Sequence, residues 1–390
     1  KNILFLIIVL IVLTLLGGGL YYILSPEDDK PSIIKKSTTT TTTKVVKIVN
    51  EKTESRPFAV MINNAPAARP VQSGLQDAYI VYEIIVEGGI TRYMALFLDQ
   101  NTARIGSIRS SRHYFLDYAL ENDAIYVHCG YSPQARADFS KLGVDRIEAG
   151  TSSNSWRDKE LRSQGYAYEH TLFTSIEKLN NNVGKKRTKR NNDLLLNYTV
   201  DEVDLSKMEN AKPANEVLIK YSNVNKTGYT YDAENKVYKR TVNGKEHVDY
   251  VTKNQYTVKN IITYQVKNTT IEGGGKGRQT IDNIGSGTGY YITDGYAVPI
   301  TWTKPSRKSQ TIYKYTNGEE IKFNDASVNN VSFSYDKELI LDNISLTIPK
   351  GKIIGITGRS GSGKSTLLKL MMRFWKVDQG EINISNTSIE

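Results

Sequence analysis

From Arg56 to about residue 185, short runs rich in Val, Ile and Tyr alternate with segments that carry helix punctuation; beyond that point the helix punctuation stops. The runs "FAVMIN", "AYIVYEIIV", "YMALFLD", "ARIGSI" and "AIYVH" read as strands. Between them, "SSRHYFLDYALEN" offers Ser caps and places Phe115, Leu116, Tyr118 and Ala119 at helical spacing. "SPQARADFSKLG" has Ser132 to cap a helix, Pro133 at its first position and Gly143 to stop it. This alternation predicts an α/β domain over 56–185. The later runs "EVLIKYS", "GYTYDAENKVYKRTVNG", "IITYQVKN", "GYYITDGYAVPITWTK" and "TIYKYTNGEEIKF" alternate apolar with polar around Asn-Gly and Asp-Gly turns. They predict a mainly antiparallel β domain over 186–325. The basic run "GKKRTKRNN" at 184–192 lacks interleaved aromatics and reads as a solvated linker, so no nucleic-acid partner is expected. "GGGKG" and "GSGTG" open no helix and read as turns.

Residues 3–24 carry no charge. That is long enough for a helix to cross a hydrocarbon core of ~30 Å, and longer than a usual signal-peptide core. Tyr21 and Tyr22 fall where interfacial aromatics belong, Lys1 precedes the run and "PEDDK" follows it. The reading is a transmembrane signal anchor over 1–24, N-terminus inside, followed by a disordered Thr-rich tether over 25–55. The protein is therefore expected at the cell membrane as a single-pass protein with most of the chain extracytoplasmic. The absence of an initiator Met suggests a start further upstream. A net charge of +10 fits a polyanionic surface such as a phosphorylated wall polymer, and equally simple solubility. One Cys, Cys129, excludes an internal disulfide. The four His lack metal-ligand spacing.

Near the C-terminus, "GRSGSGKST" follows the buried-strand pattern "KIIGIT" and precedes the apolar helix pattern "STLLKLMMRFW". Gly358, Ser360, Gly361 and Gly363 permit the tight winding that points backbone N–H groups at phosphates. Lys364 would reach the β- and γ-phosphates of ATP, the Ser365 hydroxyl would sit on Mg²⁺, and Thr366 continues the helix start. Residues 326–390 resemble the start of the nucleotide-binding domain of ABC transporters. The resemblance implies that Tyr335 stacks on adenine. It also implies a Gln loop, a signature sequence, a strand ending in Asp-Glu and a switch His, none of which lies between Lys364 and Glu390. ATP and Mg²⁺ are thus the cofactors to consider, with hydrolysis not expected. With one span, this incomplete P-loop α/β fragment falls outside the membrane, away from cytoplasmic ATP. That favours a fusion, frameshift or assembly joint over a truncated ABC transporter component.

At "RPFAVMINNAPAARPVQSGLQDAYIVYEIIVEGGITRYMALF", "IGSIRSSRHYFLDYALENDAIYVHCGYSPQA" and "WRDKELRSQGYAYEHTLFTS", the chain resembles the YerB-like lipoproteins of Gram-positive bacteria. The likeness runs from 56 to about 325 and is looser in the second domain; the lipobox Cys of a lipoprotein is missing. The resemblance brings no activity with it. The residues themselves point to the ends of strands, where ligands of α/β sheets bind. Arg109 and Arg112 follow "IGSI", His128 ends "AIYV", and Ser132 opens a helix. Together they suit a phosphate or carboxylate, with Arg157, Asp158 and His170 completing the pocket. A binding module for an anionic wall polymer or an envelope protein is one reading. The alternative is a wall-active hydrolase or transferase using His128, His170 and Asp158. A third is that these residues form only a structural network: Ser132 is explained by capping alone, and His128 and Cys129, adjacent on a strand, face opposite sides.

Overall fold

The computed structural model describes residues 53–199, 203–273 and 277–324, with the backbone alone of the short strands Val331–Tyr335, Glu338–Ile344, Asn383–Ile384 and Thr387–Ser388. The apolar run at 3–24, the tether up to residue 52 and the phosphate cradle at 358–366 lie outside the described residues. Among the described residues no helix is long and apolar enough to cross a membrane.

The first domain contains, in chain order, β1 (Phe58–Asn63), β2 (Ile80–Ile85), β3 (Thr91–Phe97), β4 (Ile105–Gly106), α1 (His113–Glu121), β5 (Ile125–His128), α2 (Pro133–Leu142), β6 (Arg146–Glu148), β7 (Trp156–Arg157), α3 (Lys159–Ser163), β8 (Leu172–Thr174) and α4 (Ile176–Asn180). Its main sheet runs β2-β3-β1-β5-β6, with β1, β5 and β6 parallel and β2 and β3 antiparallel to their neighbours. The period of two divides the sheet's faces. Phe58, Val60 and Ile62 of β1, with Ile125 and Val127 of β5, pack with Ile105 and Leu172 of the small antiparallel sheet β4-β8-β7. Ala59, Met61 and Tyr126 pack on the other face, under Phe115 and Leu116 of α1 and Phe139 of α2. The carboxyl ends of β1, β5 and β6 therefore share one edge, between helices and the small sheet.

α2 begins and ends as its sequence dictates. The Ser132 hydroxyl accepts from Ala135 N–H, Pro133 is the first residue, and Gly143 closes the helix with φ 67°. α1 does not. It starts at His113 with Arg112 at the cap position and no side-chain cap, because the nearest hydroxyl, Ser111, accepts a 2.9 Å hydrogen bond from Tyr126 instead. The basic run is no free linker either. Arg187 pairs with Asp123 at 2.6 Å, Lys189 with Glu54 at 2.5 Å, and Ser55 bridges to Lys189.

The second domain is built around two five-stranded antiparallel sheets, with two further two-stranded pairings, one antiparallel (Asn268–Thr270 with Gln279–Ile281) and one parallel (Lys322–Asn324 with Asn197–Thr199). Of the two larger sheets, one orders Lys212–Pro213, Tyr296–Lys304, Gly285–Thr293 and Asn260–Tyr264, with Ile312–Tyr315 beside Tyr296–Lys304. The other orders Glu216–Lys220, Lys226–Asp232, Val237–Val242 and Lys245–Glu246. "GSGTG" lies within the strand Gly285–Thr293, not in a turn. A Cβ at Gly287 would stand 2.7 Å from the Trp302 indole nitrogen, and one at Gly289 2.4 Å from the Thr263 carbonyl, so neighbouring groups approach too closely for a side chain.

Polar groups join the two domains. Arg240 donates to Glu83 at 2.7 Å, both side chains 8% exposed, and Glu83 also accepts from Thr91 and Thr227. Arg240 also donates to His247 Nδ1, which leaves the proton on Nε2; that nitrogen donates to Gln72 Oε1. Gln72 in turn donates to the Asn63 carbonyl at the end of β1. On the opposite face, Lys304 meets Glu121 at 2.6 Å with both side chains buried, and Arg307 links Asp117 of α1 to Asp138 of α2.

Candidate functional site

The backbone brings the predicted residues to one edge. Ser111 N–H donates to the Gly130 carbonyl, Cys129 N–H to the Arg109 carbonyl, and Ser132 N–H to the Ser111 carbonyl, so segment 109–111 runs beside 129–132 just past β5. The side chains then part, and the convergence expected of Arg109, Arg112 and His128 is not built.

Arg112 turns to Glu87, which it meets at 2.6 Å, and donates again to the Ser111 carbonyl. Burial pushes the Glu87 carboxyl up, but the hydrogen bond and charge of Arg112 outweigh it and hold the group below its ordinary value. Arg112 is thus spent on structure. His128 goes under α2, fully buried, its ring 5.0 Å from that of Phe139. Its Nδ1–H donates to the Gly130 carbonyl at 2.9 Å and its Nε2 accepts from Arg146 at 3.3 Å, since a guanidinium only donates. Burial lowers its pKa to about 4, and no nitrogen is left to move a proton. Ser132 is spent on the α2 cap. Cys129 faces away from His128, as strand geometry requires, and packs against the apolar cluster of the small-sheet side.

A different set gathers beyond Cys129. Arg157 stacks its guanidinium 3.5 Å from the Tyr168 ring, donates to the Tyr168 carbonyl and reaches the Cys129 sulfur. Burial raises the Cys129 pKa against the opposing pull of Arg157 and Arg109, which keeps the thiol protonated. His170 is held by Asn63. Because Ala65 N–H donates to Asn63 Oδ1, the Asn63 amide nitrogen is what meets His170 Nδ1, at 2.9 Å. The neutral His170 therefore carries its proton on Nε2, on the other side of the ring. Burial lowers its pKa, with Arg109 working in the same direction and Glu169 against it. Arg109 lies within electrostatic range of His170, Glu169 and Cys129, is partly exposed, and makes no side-chain hydrogen bond or ion pair.

Two of the three residues expected to complete a pocket, Arg157 and His170, thus join Arg109; the third, Asp158, does not. Asp158 caps α3 by accepting from Leu161 N–H at 3.0 Å and pairs with Arg104 at 2.8 Å. His128 is thus engaged by Gly130 and Arg146 and Asp158 by Leu161 and Arg104, and among the described residues neither hydrogen-bonds to His170. Asn63 was not foreseen, although it obeys the positional rule that pointed to the others: it is the polar last residue of a parallel strand. Among the described residues no group of three or more His, Cys, Asp or Glu could hold a metal ion. Tyr335 has only its backbone described, and the predicted Mg²⁺-ATP residues Gly358, Ser360, Gly361, Gly363, Lys364, Ser365 and Thr366 fall outside the described residues.

Comparison with known proteins gives three matches along the chain. Residues 42–189 match the N-terminal domain, and 217–328 the C-terminal domain, of a protein of unknown function, DUF3048; residues 341–390 match the ABC transporter family. "Putative lipoprotein YerB" of Bacillus subtilis (strain 168) is 32% identical over 265 residues, covering 66% of this chain and 76% of the relative. The crystal structure of YerB protein from Bacillus subtilis superposes with a TM-score of 0.59 at 28% identity, over 70% of this chain and 89% of that one. A "Probable ABC transporter ATP-binding/permease protein" of Haemophilus influenzae is 55% identical over 62 residues, so this chain spans only 11% of its length.

Proposed function

The chain belongs to the DUF3048 family of YerB-like proteins, with a partial ABC transporter segment after its second domain, and from that membership we propose a membrane-anchored, extracytoplasmic envelope protein whose first domain binds an anionic ligand. The proposed ligand is a phosphate or carboxylate group of wall material, held past β1 and β5. The observation that carries this reading is Arg109. A guanidinium that makes no hydrogen bond or ion pair among the described residues, beside Arg157 and a neutral His170 with Nε2–H to give, is a set of donors with N–H groups to offer an anion. Anchoring rests on the uncharged run at 3–24 and on the lipoprotein description of the relative. The wall-active hydrolase or transferase reading is the weaker one, because His128 is held by Gly130 and Arg146 and Asp158 by Leu161 and Arg104.

Isothermal titration of the full chain in detergent with inorganic phosphate tests the site. A charge-assisted hydrogen bond is worth about 1.5–3 kcal/mol, so Arg109→Gln should weaken binding roughly 10- to 100-fold. Arg112→Gln should leave affinity unchanged. Equal affinities for Arg109→Gln and the parent protein, or no phosphate binding at all, would sink the reading. For the ABC segment we propose that the phosphate cradle within residues 341–390 holds a nucleotide through Lys364. ATP affinity of the full chain should fall in Lys364→Ala; equal affinities would contradict it.

A further inference from the structure

Arg56, Arg104, Arg112, Arg240 and Arg307 each hold a carboxylate, whereas Arg109 and Arg136 make no side-chain hydrogen bond or ion pair among the described residues. These two flank the same sheet edge. Arg109 pairs through its backbone with Cys129, and Arg136 stands on the first turn of α2, over the ring of Tyr131 at 5.9 Å. Cys129 and Tyr131 are separated by Gly130 alone, on the order of 7 Å between α-carbons.

On the Arg136 side the surface opens into a groove of about 570 Å³ lined by Tyr131, Arg136, Phe139, Ser140, Asp145 and Arg146 among others. Its carboxylate is already neutralised: Asp145 pairs with Arg56 at 2.6 Å. Glu148, next to the groove, pairs with Arg146 at 3.0 Å. Arg136 is therefore the charge the groove presents. Tyr131 is 38% exposed, fixed edge-on against Phe139, and supplies an aromatic face of the kind that stacks on a sugar ring. A guanidinium beside an exposed ring suits a unit that is part anion and part apolar carbon frame.

We propose that the ligand is a sugar-phosphate polymer running along the carboxyl edge, one phosphodiester at Arg109 and the adjoining sugar and phosphate in the groove at Tyr131 and Arg136. This rests on the anion site proposed above and extends it from a single group to a repeating chain. Neither guanidinium is hydrogen-bonded to a carboxylate of the described residues, so each has N–H groups to give to the oxygens of a phosphodiester. Two linked contacts raise apparent affinity through effective concentration, without any further contact.

The test titrates the full chain in detergent with hexose 1-phosphate and with an oligomer of eight hexoses joined by phosphodiesters, keeping a polyglutamate of equal charge as control. The oligomer should bind at least ten times tighter per phosphate than the monomer. Tyr131→Ala with Arg136→Gln should remove that advantage, so that oligomer and monomer bind equally per phosphate, whereas Arg109→Gln should weaken both. Monomer binding through Arg109 with no gain from the oligomer, or a gain that survives Tyr131→Ala with Arg136→Gln, overturns the extended site alone. An equal, Arg136-dependent gain for polyglutamate overturns the assignment to sugar phosphate. Failure of the monomer itself to bind, with Arg109→Gln silent, removes the anion site beneath it.

Discussion

The domain junction and the carboxyl edge of the main sheet are both rich in arginine, and they treat it in opposite ways. At the junction Arg240 sits between Glu83 and His247, with Thr227 adding a further partner, and each group's hydrogen-bonding capacity is met from a neighbour. At the edge Arg109 and Arg136 make no side-chain hydrogen bond or ion pair among the described residues, although the Glu169 carboxylate lies within electrostatic reach of Arg109. A buried guanidinium must be paired or it costs the fold several kcal/mol, whereas a partly exposed one can wait in water. The pairing therefore separates the arginines that hold the two domains together from those available to a ligand.

The largest expected effect lies at the junction. Glu83→Ala leaves Arg240 buried without its carboxylate, and removing one partner of a buried pair costs about 3–5 kcal/mol. Chemical denaturation should show the loss as a lower midpoint. A loss under about 1 kcal/mol, the range of exposed pairs, would mean that the junction is no more than a surface contact.

Acid should act on the same structural half. His128, with a pKa of about 4 when folded, binds its proton more weakly in the native state than in the unfolded chain. Its contribution is full above pH ~6.5 and disappears as pH falls to about 4, amounting to about 3 kcal/mol. His247, held well below its ordinary value by burial and by Arg240 and Arg69, works in the same direction. Asp117 opposes them, since burial raises its pKa to about 6 despite Arg307, and it gains stability on taking up a proton. Comparing stability at pH 7 and pH 5 in the parent protein and His128→Asn isolates the first component: the variant should lose less between the two. Identical losses would show that His128 is not the buried neutral group described.

Much of the frame was legible in the sequence. Strands β1, β2, β3 and β5, the capped helix α2 and hairpins of the second domain follow from periodicity and from Ser132, Pro133, Gly143 and the Asn-Gly and Asp-Gly turns, whereas β6 lies outside the runs read as strands. What local pattern could not supply was partnership across distance. Arg112 meets Glu87 and Asp158 meets Arg104, which removed both from the expected pocket, and each pairing depends on how the strands stack. Glu83 and Arg240 are 157 residues apart, so nothing near either one announced the junction. "GSGTG" misled for a related reason. Its glycines answer the approach of Trp302 and Thr263, which local turn chemistry does not reveal. Of the residues expected at the strand ends, Arg109, Arg157 and His170 gather there with Asn63 added, while Arg112, His128, Ser132 and Asp158 are engaged elsewhere.

The smallest expected effect on stability is also the most informative one, because it separates the two kinds of arginine. Arg109→Gln removes no hydrogen bond or ion pair, and should shift unfolding free energy by no more than about 0.5 kcal/mol. Measured side by side on the full chain, Arg109→Gln should keep the parent denaturation midpoint and lose phosphate affinity, while Arg240→Gln should lower the midpoint and, below it, keep the affinity. If Arg109→Gln instead unfolds as early as Arg240→Gln and binds phosphate like the parent, the edge is structure and not a site.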